Sequence, residues 1–206
     1  MPSNRFFKLK PEKRAHILAA ARAEFVAHGF DGASYNRIIS AAGVSKGAMY
    51  YYFEDKLDLY ATVLADAFSE VEAAWAQEFD QGLFDRDFWA AVEVLALRQI
   101  QWMLTEPELV ALSRGLTDLD PAMLRTGPLG QFYQGIVGWI GALVVKGQSQ
   151  GAVRDDLPGE LLVSILMGVG ETFDRWWLQE AEGMDEEAMG EMVQTSLDIM
   201  RRIAQP

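Results

Sequence analysis

A short polar and aromatic segment, residues 45–56, carries the side chains of this chain that are best suited to chemistry. It reads Ser-Lys-Gly-Ala-Met-Tyr-Tyr-Tyr-Phe-Glu-Asp-Lys. Met49 and Phe53 are four residues apart, so on a helix they share one face and point into a core. Lys46 and two tyrosines then fall on the outer face, where an ordinary amphipathic helix carries Glu and Lys. A lysine and phenol hydroxyls at these positions suit a phosphate backbone and the edges of bases.

The residues ahead of this helix predict a second short helix and a tight turn. Ser34 stands at an N-cap position, and Ile38 and Ala42 form a buried stripe behind it. Gly43 can adopt the positive φ that turns the chain sharply, and Ser45 is placed to cap the next helix. Two short helices joined by a glycine turn predict a helix-turn-helix, with a plain helical hairpin packed on a core as the alternative.

The same segment resembles the DNA-binding end of TetR-like transcriptional regulators. Their signature is an apolar first helix, a Gly-Phe turn, and Ala-Gly-Val-Ser-Lys-Gly-x-x-Tyr-x-Tyr-Phe followed by x-x-Lys. The strong resemblance covers residues 12–64, and the matching residues are Phe25, Gly29, Phe30, Ala42 to Gly47, Tyr50, Tyr52, Phe53 and Lys56. Ala48 and Tyr51 depart from the Thr and His that the family often has, so a base preference is not carried over.

The resemblance implies that this part of the chain binds double-stranded DNA. It implies phosphate contacts at the start of the first short helix and a base contact at Asn36. It also implies that the second helix, the recognition helix, opens at the floor of the major groove. The expected DNA-binding residues are Ser34, Tyr35, Asn36, Ser45, Lys46, Gly47, Ala48, Tyr50, Tyr51 and Lys56.

Longer helices must position these residues. The first is predicted to begin near Pro11 and to end at Gly29, with Phe30 folding back onto Phe25 as the apolar contact that accompanies such an end. The basic segment Arg5 to Arg14 ahead of it is either a flexible arm that reaches the DNA backbone or a frayed terminus. A long fourth helix opens at Glu54 or Asp55 and joins the DNA-binding head to the rest of the chain.

The remaining sequence predicts helices only, over residues 86–105, 107–116, 121–150, 158–181 and 186–203. The expected fold class is therefore all-α, with about nine helices. A three-helix helix-turn-helix head is joined by a long helix to a helical ligand-binding and dimerisation body. We expect an N-terminal DNA-binding domain over residues 1–56 and a C-terminal domain over residues 57–206.

The last two helices are the expected dimer surface, because they are apolar on more than one side. A terminal helix pair can bury such sides by forming a four-helix bundle with a second copy. The alternative is a monomer in which these residues fill the chain's own core. The expected interface residues are Leu162, Ile165, Leu166, Val169, Phe173, Trp177, Met189, Val193 and Leu197.

The helical body also carries many aromatic rings together with isolated polar residues, a composition typical of a small-molecule site. Aromatic stripes at helical spacing also occur in simple cores, and TetR-like bodies usually bind an inducer, so the resemblance favours a pocket. The ligand is expected to be partly apolar. The expected lining residues are Trp75, Trp89, Arg98, Gln99, Trp102, Phe132, Trp139, Glu171 and Phe173.

Composition and charge limit which partners and which cellular location are possible for this chain. The 206 residues have a formal net charge of -12, yet residues 1–60 carry nine Lys or Arg and six Asp or Glu, so that end is +3 and the remainder is -15. A basic end on an acidic body orients the molecule toward DNA. The apolar runs fall short of the ~20 residues that a membrane span needs, and the amino terminus lacks the apolar segment of a secretion signal, so a cytoplasmic protein is expected.

An enzyme is not expected. Cysteine is absent, and His16 and His28, the two histidines, are twelve positions apart, which turns them about 120° from each other on one helix. They cannot jointly bind a metal, and no nucleophile elbow or phosphate-cradling loop occurs. No cofactor and no metal are expected. The predicted function is a homodimeric repressor released from a pseudo-palindromic operator by a small molecule. The alternatives are an activator of the same fold and a helical ligand-binding protein without a functional operator.

Overall fold

The computed structural model describes residues 2–80, 82–117, 119–180 and 186–206. Over these residues it contains eleven α-helices, one short 3-10 turn at Leu83–Asp85 and no β-strand. The all-helical prediction is therefore confirmed. The helices are α1 Asn4–Phe7, α2 Pro11–Gly32, α3 Tyr35–Ala41, α4 Lys46–Tyr52, α5 Lys56–Asp80, α6 Phe88–Thr105, α7 Pro107–Thr117, α8 Pro121–Arg125, α9 Gly127–Ser149, α10 Gly159–Glu180 and α11 Glu186–Ala204.

Two local features raise the number of helices above the predicted nine. The short α1 lies in the segment predicted as an arm or a frayed end. The helix predicted over residues 121–150 is divided into α8 and α9, because Thr126 is extended and Gly127 has a φ of 59°. Pro128 disfavours a helical conformation at the residue before it, which explains the break.

The chain groups into two compact units, and the first comprises Met1–Glu70 and Glu108–Gln134. Its core is built around Tyr60, which is 1% exposed and packs edge-on against the ring of Phe25 at 4.8 Å. The Tyr60 hydroxyl donates a 2.6 Å hydrogen bond to the carbonyl oxygen of Leu112 on α7. Gly115, one helical turn further along α7, leaves room for that phenol, because a Cβ there would collide with the Tyr60 hydroxyl.

The second unit comprises Val71–Pro107 and Gly135–Pro206. Its chain reversals are fixed by side chains that donate to backbone carbonyls. The Trp89 indole donates to the carbonyl of Ala152 at 3.0 Å, and the Gln150 amide donates to the carbonyl of Phe84 at 2.7 Å. Gly147 packs so closely against the side chains of Phe88 and Val153 that a Cβ would not fit.

The two compact units are defined by contacts between residues. Residues 57–70 and 108–134, which lie C-terminal to the predicted boundary at residue 56, belong to the first unit. The functional division predicted at residue 56 concerns which residues bind DNA, and it stays a prediction. Across the residues that the structure describes, none of the helices combines the length and the apolar character that a bilayer-crossing helix requires.

Candidate DNA-binding surface

The start of α3 is fixed to α2 by a charged network. Ser34 caps α3, because its side chain accepts a hydrogen bond from the backbone N–H of Arg37 at 3.3 Å. The Glu24 carboxylate accepts from the backbone N–H of Ser34 at 2.8 Å and from the Arg37 guanidinium at 2.8 Å. The hydrogen bond from Arg37 holds the pKa of the Glu24 carboxyl below its usual value. The charged carboxylate therefore holds the segment that presents Ser34 and Asn36.

The turn and the recognition helix α4 have the predicted local structure. Gly43 has a φ of 61°, the left-handed conformation that glycine adopts without strain. The Ser45 side chain accepts from the backbone N–H of Ala48 at 3.1 Å and so caps α4. Met49 on α4 and Phe53, the residue directly after this helix, are both 0% exposed, so one side of α4 and its C-terminal end are anchored in the core of the first unit. The predicted helix-turn-helix is therefore present.

The opposite face of α4 is open to solvent. Lys46 and Gly47 are exposed, and Tyr50 and Tyr51 are each 51% exposed. Adjacent exposed aromatic side chains form a surface patch of the kind that marks interaction sites. The exposed lysine and phenols can donate to phosphate oxygens, and the glycine lets the backbone approach a ligand closely.

The Tyr35 side chain lies beside that of Tyr50 on α4, but its hydroxyl is in a different environment. Its ring lies 5.1 Å from the ring of Tyr50, and its hydroxyl oxygen is buried. That hydroxyl has no hydrogen-bond partner among the described residues. Burial raises the pKa of the phenol well above its usual range, so the hydroxyl stays protonated. The predicted phosphate contact at Tyr35 therefore requires the phenol to move out of the protein.

The Lys56 ammonium, predicted to complete the DNA backbone contacts, has partners inside the protein. It donates to the carbonyl oxygens of Phe30, Asp31 and Ala33 at 2.6, 3.3 and 3.2 Å, and it lies 4.5 Å from the centre of the Phe30 ring. A lysine has three N–H donors, so three carbonyls account for all of them. These carbonyls follow Gly29, whose φ of 64° interrupts α2 at the residue where the sequence predicts the end of this helix. In this geometry Lys56 holds the end of α2 against the start of α5, and its contact with DNA stays a prediction.

Sequence reasoning missed two further residues that shape this surface. The sequence alone predicts no role for Arg37, although the spacing Ser34-x-x-Arg37 places its amide at the cap of α3. The sequence predicts Arg5 only as part of a basic arm, yet its guanidinium lies over the ring of Tyr51 at 3.8 Å. The pair Phe6 and Phe7 within a basic stretch was the available signal, because apolar rings in a terminal segment favour docking on a core.

The predicted ligand-binding residues are distributed over both units. Phe132 belongs to the first, where its ring packs 5.5 Å from the ring of Phe68. Arg98, Trp139, Glu171 and Phe173 belong to the second unit, and of these Arg98 is exposed while the other three are partly exposed. The side chains of Trp75, Gln99 and Trp102 lie outside the described part of the chain.

Trp89 lines a small cleft between α6 and α11 in the second unit. The cleft also contains Leu197, Asp198 and Arg201, and its volume is about 20 Å³. A space of this size holds about one water molecule. With its indole N–H bonded to Ala152, Trp89 serves the packing of this unit.

The predicted dimer residues separate into buried and accessible groups. Leu162 and Met189 are 0% and 5% exposed within the second unit, so their side chains belong to its own core. The others are partly exposed: Ile165, Leu166, Val169, Phe173, Trp177, Val193 and Leu197. Two further large apolar side chains of α10, Leu161 and Trp176, are 48% and 40% exposed. Helical geometry places Leu161, Ile165 and Trp176 on one side of α10.

Comparison with known protein families gives a match to the family described as bacterial regulatory proteins, tetR family, over residues 17–63. The matched segment contains α3, the turn and α4. The chain is 26% identical to the HTH-type transcriptional repressor BepR of Brucella suis in an alignment 184 positions long, which covers 84% of each protein. It is 30% identical to the HTH-type transcriptional repressor AcnR of Corynebacterium glutamicum in an alignment 136 positions long, which covers 55% of this chain and 69% of AcnR.

The fold is similar to that of a solved regulator from Thermus thermophilus. The T. thermophilus protein is FadR, a TetR family transcriptional repressor, and it was solved in complex with lauroyl-CoA. It superimposes with a TM-score of 0.68 at 19% sequence identity and covers 91% of this chain and 92% of the FadR chain. At this level of identity, the similarity concerns the fold.

Proposed function

This chain belongs to the TetR family of bacterial regulatory proteins, and we propose that it is a repressor that binds a pseudo-palindromic operator as a homodimer. The family consists of DNA-binding transcription regulators and not of enzymes. The observation that carries the proposal is the solvent-exposed face of α4, where Lys46, Tyr50 and Tyr51 are presented on a helix anchored by Met49 and Phe53.

The proposed contacts follow from the side chains on this surface. Lys46, Gly47 and Ala48 meet the floor of the major groove at the start of the recognition helix, where such helices contact base edges. Asn36 is exposed and can contact a base, and Tyr50 donates to a phosphate. The Ser34 and Ser45 side chains accept as helix caps, and their O–H groups can still donate to a phosphate.

Repression is favoured over activation because the relatives BepR and AcnR are both named repressors. A DNA-bound dimer that covers a promoter blocks transcription without any further contact. An activator of the same fold would require an additional surface for the transcription machinery. A protein that acts on DNA in a bacterium works in the cytoplasm.

We propose that the dimer forms through the accessible apolar side of α10, with Leu161, Ile165, Val169 and Trp176 at its centre. Leu161 and Trp176 are exposed at 48% and 40%, and burying such side chains against a second copy is favourable. An isologous dimer places two recognition helices about one turn of DNA, ~34 to 36 Å, apart, which requires a two-fold symmetric operator.

The proposed effector is a partly apolar small molecule bound by the helical body. T. thermophilus FadR was solved with lauroyl-CoA, so acyl-CoA thioesters are the first compounds to test. Trp139, Glu171 and Phe173 combine rings with a carboxylate in the second unit, the mixture that orients a partly apolar ligand. The alternative, a helical ligand-binding protein without an operator, shares this body and differs only in the DNA-binding surface.

A selection from a pool of random duplexes tests the function directly. We expect enrichment of a pseudo-palindrome whose binding weakens steeply with salt, because neutralised phosphates release counterions. The matched control is Lys46→Ala combined with Tyr50→Phe, which should abolish enrichment while leaving the fold intact, since both residues are exposed. Wild-type protein that binds no duplex at low salt would contradict the regulator proposal and favour the ligand-binding alternative.

A further inference from the structure

The residues ahead of the first long helix dock onto the recognition helix. We call Ser3 to Phe7 the N-terminal clasp. The backbone N–H of Ser3 donates to the carbonyl of Tyr52 at 2.8 Å, and the Ser3 hydroxyl donates to the carbonyl of Tyr51 at 2.9 Å. These carbonyls belong to the last turn of α4, where helix carbonyls lack partners within the helix. The clasp therefore caps the C-terminal end of the recognition helix.

An aromatic contact and a second hydrogen bond hold the clasp in place. Phe6 is 2% exposed, and its ring lies 4.7 Å from the ring of Phe53 and 6.2 Å from that of Tyr52. At the other end, the Arg14 guanidinium on α2 donates to the carbonyl of Phe7 at 2.9 Å. The first residue of the clasp is thus hydrogen-bonded to α4, and its last residue is hydrogen-bonded to α2. This arrangement differs from the flexible arm and from the frayed terminus that the sequence suggested.

The clasp places one cation on the exposed face of α4. The Arg5 guanidinium lies 3.8 Å from the centre of the Tyr51 ring, a cation–π arrangement. Arg5 is exposed, and among the described residues it has neither a hydrogen bond nor an ion pair. Stacking of the flat guanidinium on the phenol leaves its N–H groups in its own plane, where they can donate to an external acceptor.

We propose that the N-terminal clasp is part of the DNA-binding surface and that Arg5, held by Tyr51, contacts a DNA phosphate. The inference rests on the proposed function, and it adds a residue and a segment outside the helix-turn-helix. The N-terminal end of a recognition helix meets the bases, so its C-terminal end, where Arg5 lies, is directed toward the DNA backbone. A guanidinium binds a phosphate through two parallel N–H donors, and Arg5 offers such a pair.

Pre-organisation distinguishes this contact from a disordered basic tail. A free tail loses conformational entropy when it binds, which offsets part of its electrostatic gain. Arg5 is already positioned by the burial of Phe6 and by the ring of Tyr51. Its contribution should therefore depend on the clasp and not on positive charge alone.

The test is Arg5→Ala in the full chain, titrated onto the selected operator and onto an unrelated duplex at several salt concentrations. Losing one phosphate contact should lower the salt slope by about 0.9 for each protomer, which corresponds to about fivefold weaker binding per protomer at 0.15 M salt. The loss should be equal on both duplexes, because phosphates carry no sequence information. The melting temperature should not change, since Arg5 is exposed.

Two further variants separate position from charge. Lys8→Ala removes an exposed cation three positions further along the chain, and it should alter the slope less than Arg5→Ala does. Phe6→Ala loosens the clasp while keeping every charge, and it should weaken DNA binding. Combining Phe6→Ala with Arg5→Ala should then add little, because both changes remove the same positioned contact.

Each of four results would contradict the proposal. If wild-type protein binds DNA and Arg5→Ala leaves both affinity and salt slope unchanged, the clasp has no role in DNA binding and the inference is overturned. Equal effects of Arg5→Ala and Lys8→Ala would also overturn it, because they would indicate unspecific charge. A lower melting temperature with an unchanged slope would leave Arg5 a purely structural residue, again against the proposal. Wild-type protein that binds no duplex contradicts the proposed function itself, together with this extension of it.

Discussion

The Nζ atom of Lys56 lies 2.6 Å from the carbonyl oxygen of Phe30, across 26 residues of sequence. The same ammonium reaches the carbonyls of Asp31 and Ala33 and lies over the Phe30 ring. Lys56 is the first residue of α5, and the carbonyls belong to the end of α2 and the residue after it. One side chain therefore fixes the start of α5 against the end of α2, directly ahead of Ser34 and α3.

Lys56→Met should lower the stability of the protein and not its electrostatic attraction to DNA. The methionine keeps the apolar contact with Phe30 but leaves three carbonyls without their donor, at a cost of about 1 to 3 kcal/mol. Thermal unfolding checks the loss of stability. The salt slope of DNA binding should stay at the wild-type value. A slope reduced by about 0.9 per protomer with an unchanged melting temperature would instead identify Lys56 as a phosphate contact.

The tyrosine pair Tyr35 and Tyr50 offers a matched comparison of two phenol hydroxyls. Tyr50→Phe should weaken DNA binding severalfold, about 1 kcal/mol, because its exposed hydroxyl can donate to a phosphate. Tyr35→Phe should leave DNA binding unchanged and stabilise the protein by about 1 kcal/mol, since its buried hydroxyl has no partner among the described residues. Binding titrations and thermal unfolding of both variants measure the difference.

A loss of DNA affinity in Tyr35→Phe, comparable to that in Tyr50→Phe, would show that the Tyr35 phenol moves outward when DNA binds. That result would restore the phosphate contact that the family resemblance implies.

The Glu24–Arg37 pair should make stability depend on pH in the acid range. The pKa of the Glu24 carboxyl is lowered in the folded protein, chiefly by the hydrogen bond from Arg37. Its contribution is therefore complete above the usual pKa of a glutamate, about 4.3, and it is lost as pH falls through the lowered value in the folded state. Glu24→Gln should be destabilised by about 1 kcal/mol at pH 7 and should approach the wild type in strongly acid solution.

Chemical denaturation of both proteins between pH 7 and pH 3 measures this difference. His28 also lies near Glu24, at 3.8 Å, so His28→Gln in the same series serves as the control for histidine titration. A stability difference between Glu24→Gln and the wild type that stays constant over the whole range would contradict the role given to the charged carboxylate.

The sequence predicted those parts of the DNA-binding surface that depend on neighbouring residues. The caps at Ser34 and Ser45, the turn at Gly43 and the burial of Met49 follow from spacings of one to four residues, and the structure has all of them. Such features are encoded locally, because a cap or a helical face is completed within one turn of the chain.

Partners that are distant in sequence were not predictable in the same way. A flexible lysine at the start of a helix can reach DNA or its own protein, and spacing alone does not distinguish the two for Lys56. Ser3 reaches the carbonyl of Tyr51 across 48 residues, and Tyr60 reaches that of Leu112 across 52. Gly115 shows the same limit, since its lack of a side chain matters only because Tyr60 packs there.

Dimerisation should depend on the exposed apolar side of α10. Leu161→Glu combined with Trp176→Glu should shift the protein from dimer to monomer in sedimentation experiments at micromolar concentration, because carboxylates cannot be buried against a second copy without large cost. DNA binding should weaken sharply, since a monomer contacts only one half-site. Val145→Glu, at a 66% exposed position on α9, is the matched control and should remain dimeric. Monomeric wild-type protein would refute the proposed interface.

The effector should weaken DNA binding by the same factor by which DNA weakens effector binding. Helix α5 is continuous from Lys56 to Asp80 and supplies residues to both compact units, so a change in the ligand-binding body can alter the free energy of the DNA-bound state. Thermodynamic linkage then fixes reciprocity, because the cycle of ligand and DNA binding must close. Useful regulation requires a factor of at least about ten, which is about 1.4 kcal/mol of coupling. The intrinsic fluorescence of the six tryptophans reports ligand titration with and without operator. A ligand that binds both states with equal affinity can occupy the body but cannot release the operator, and that result would exclude it as the effector.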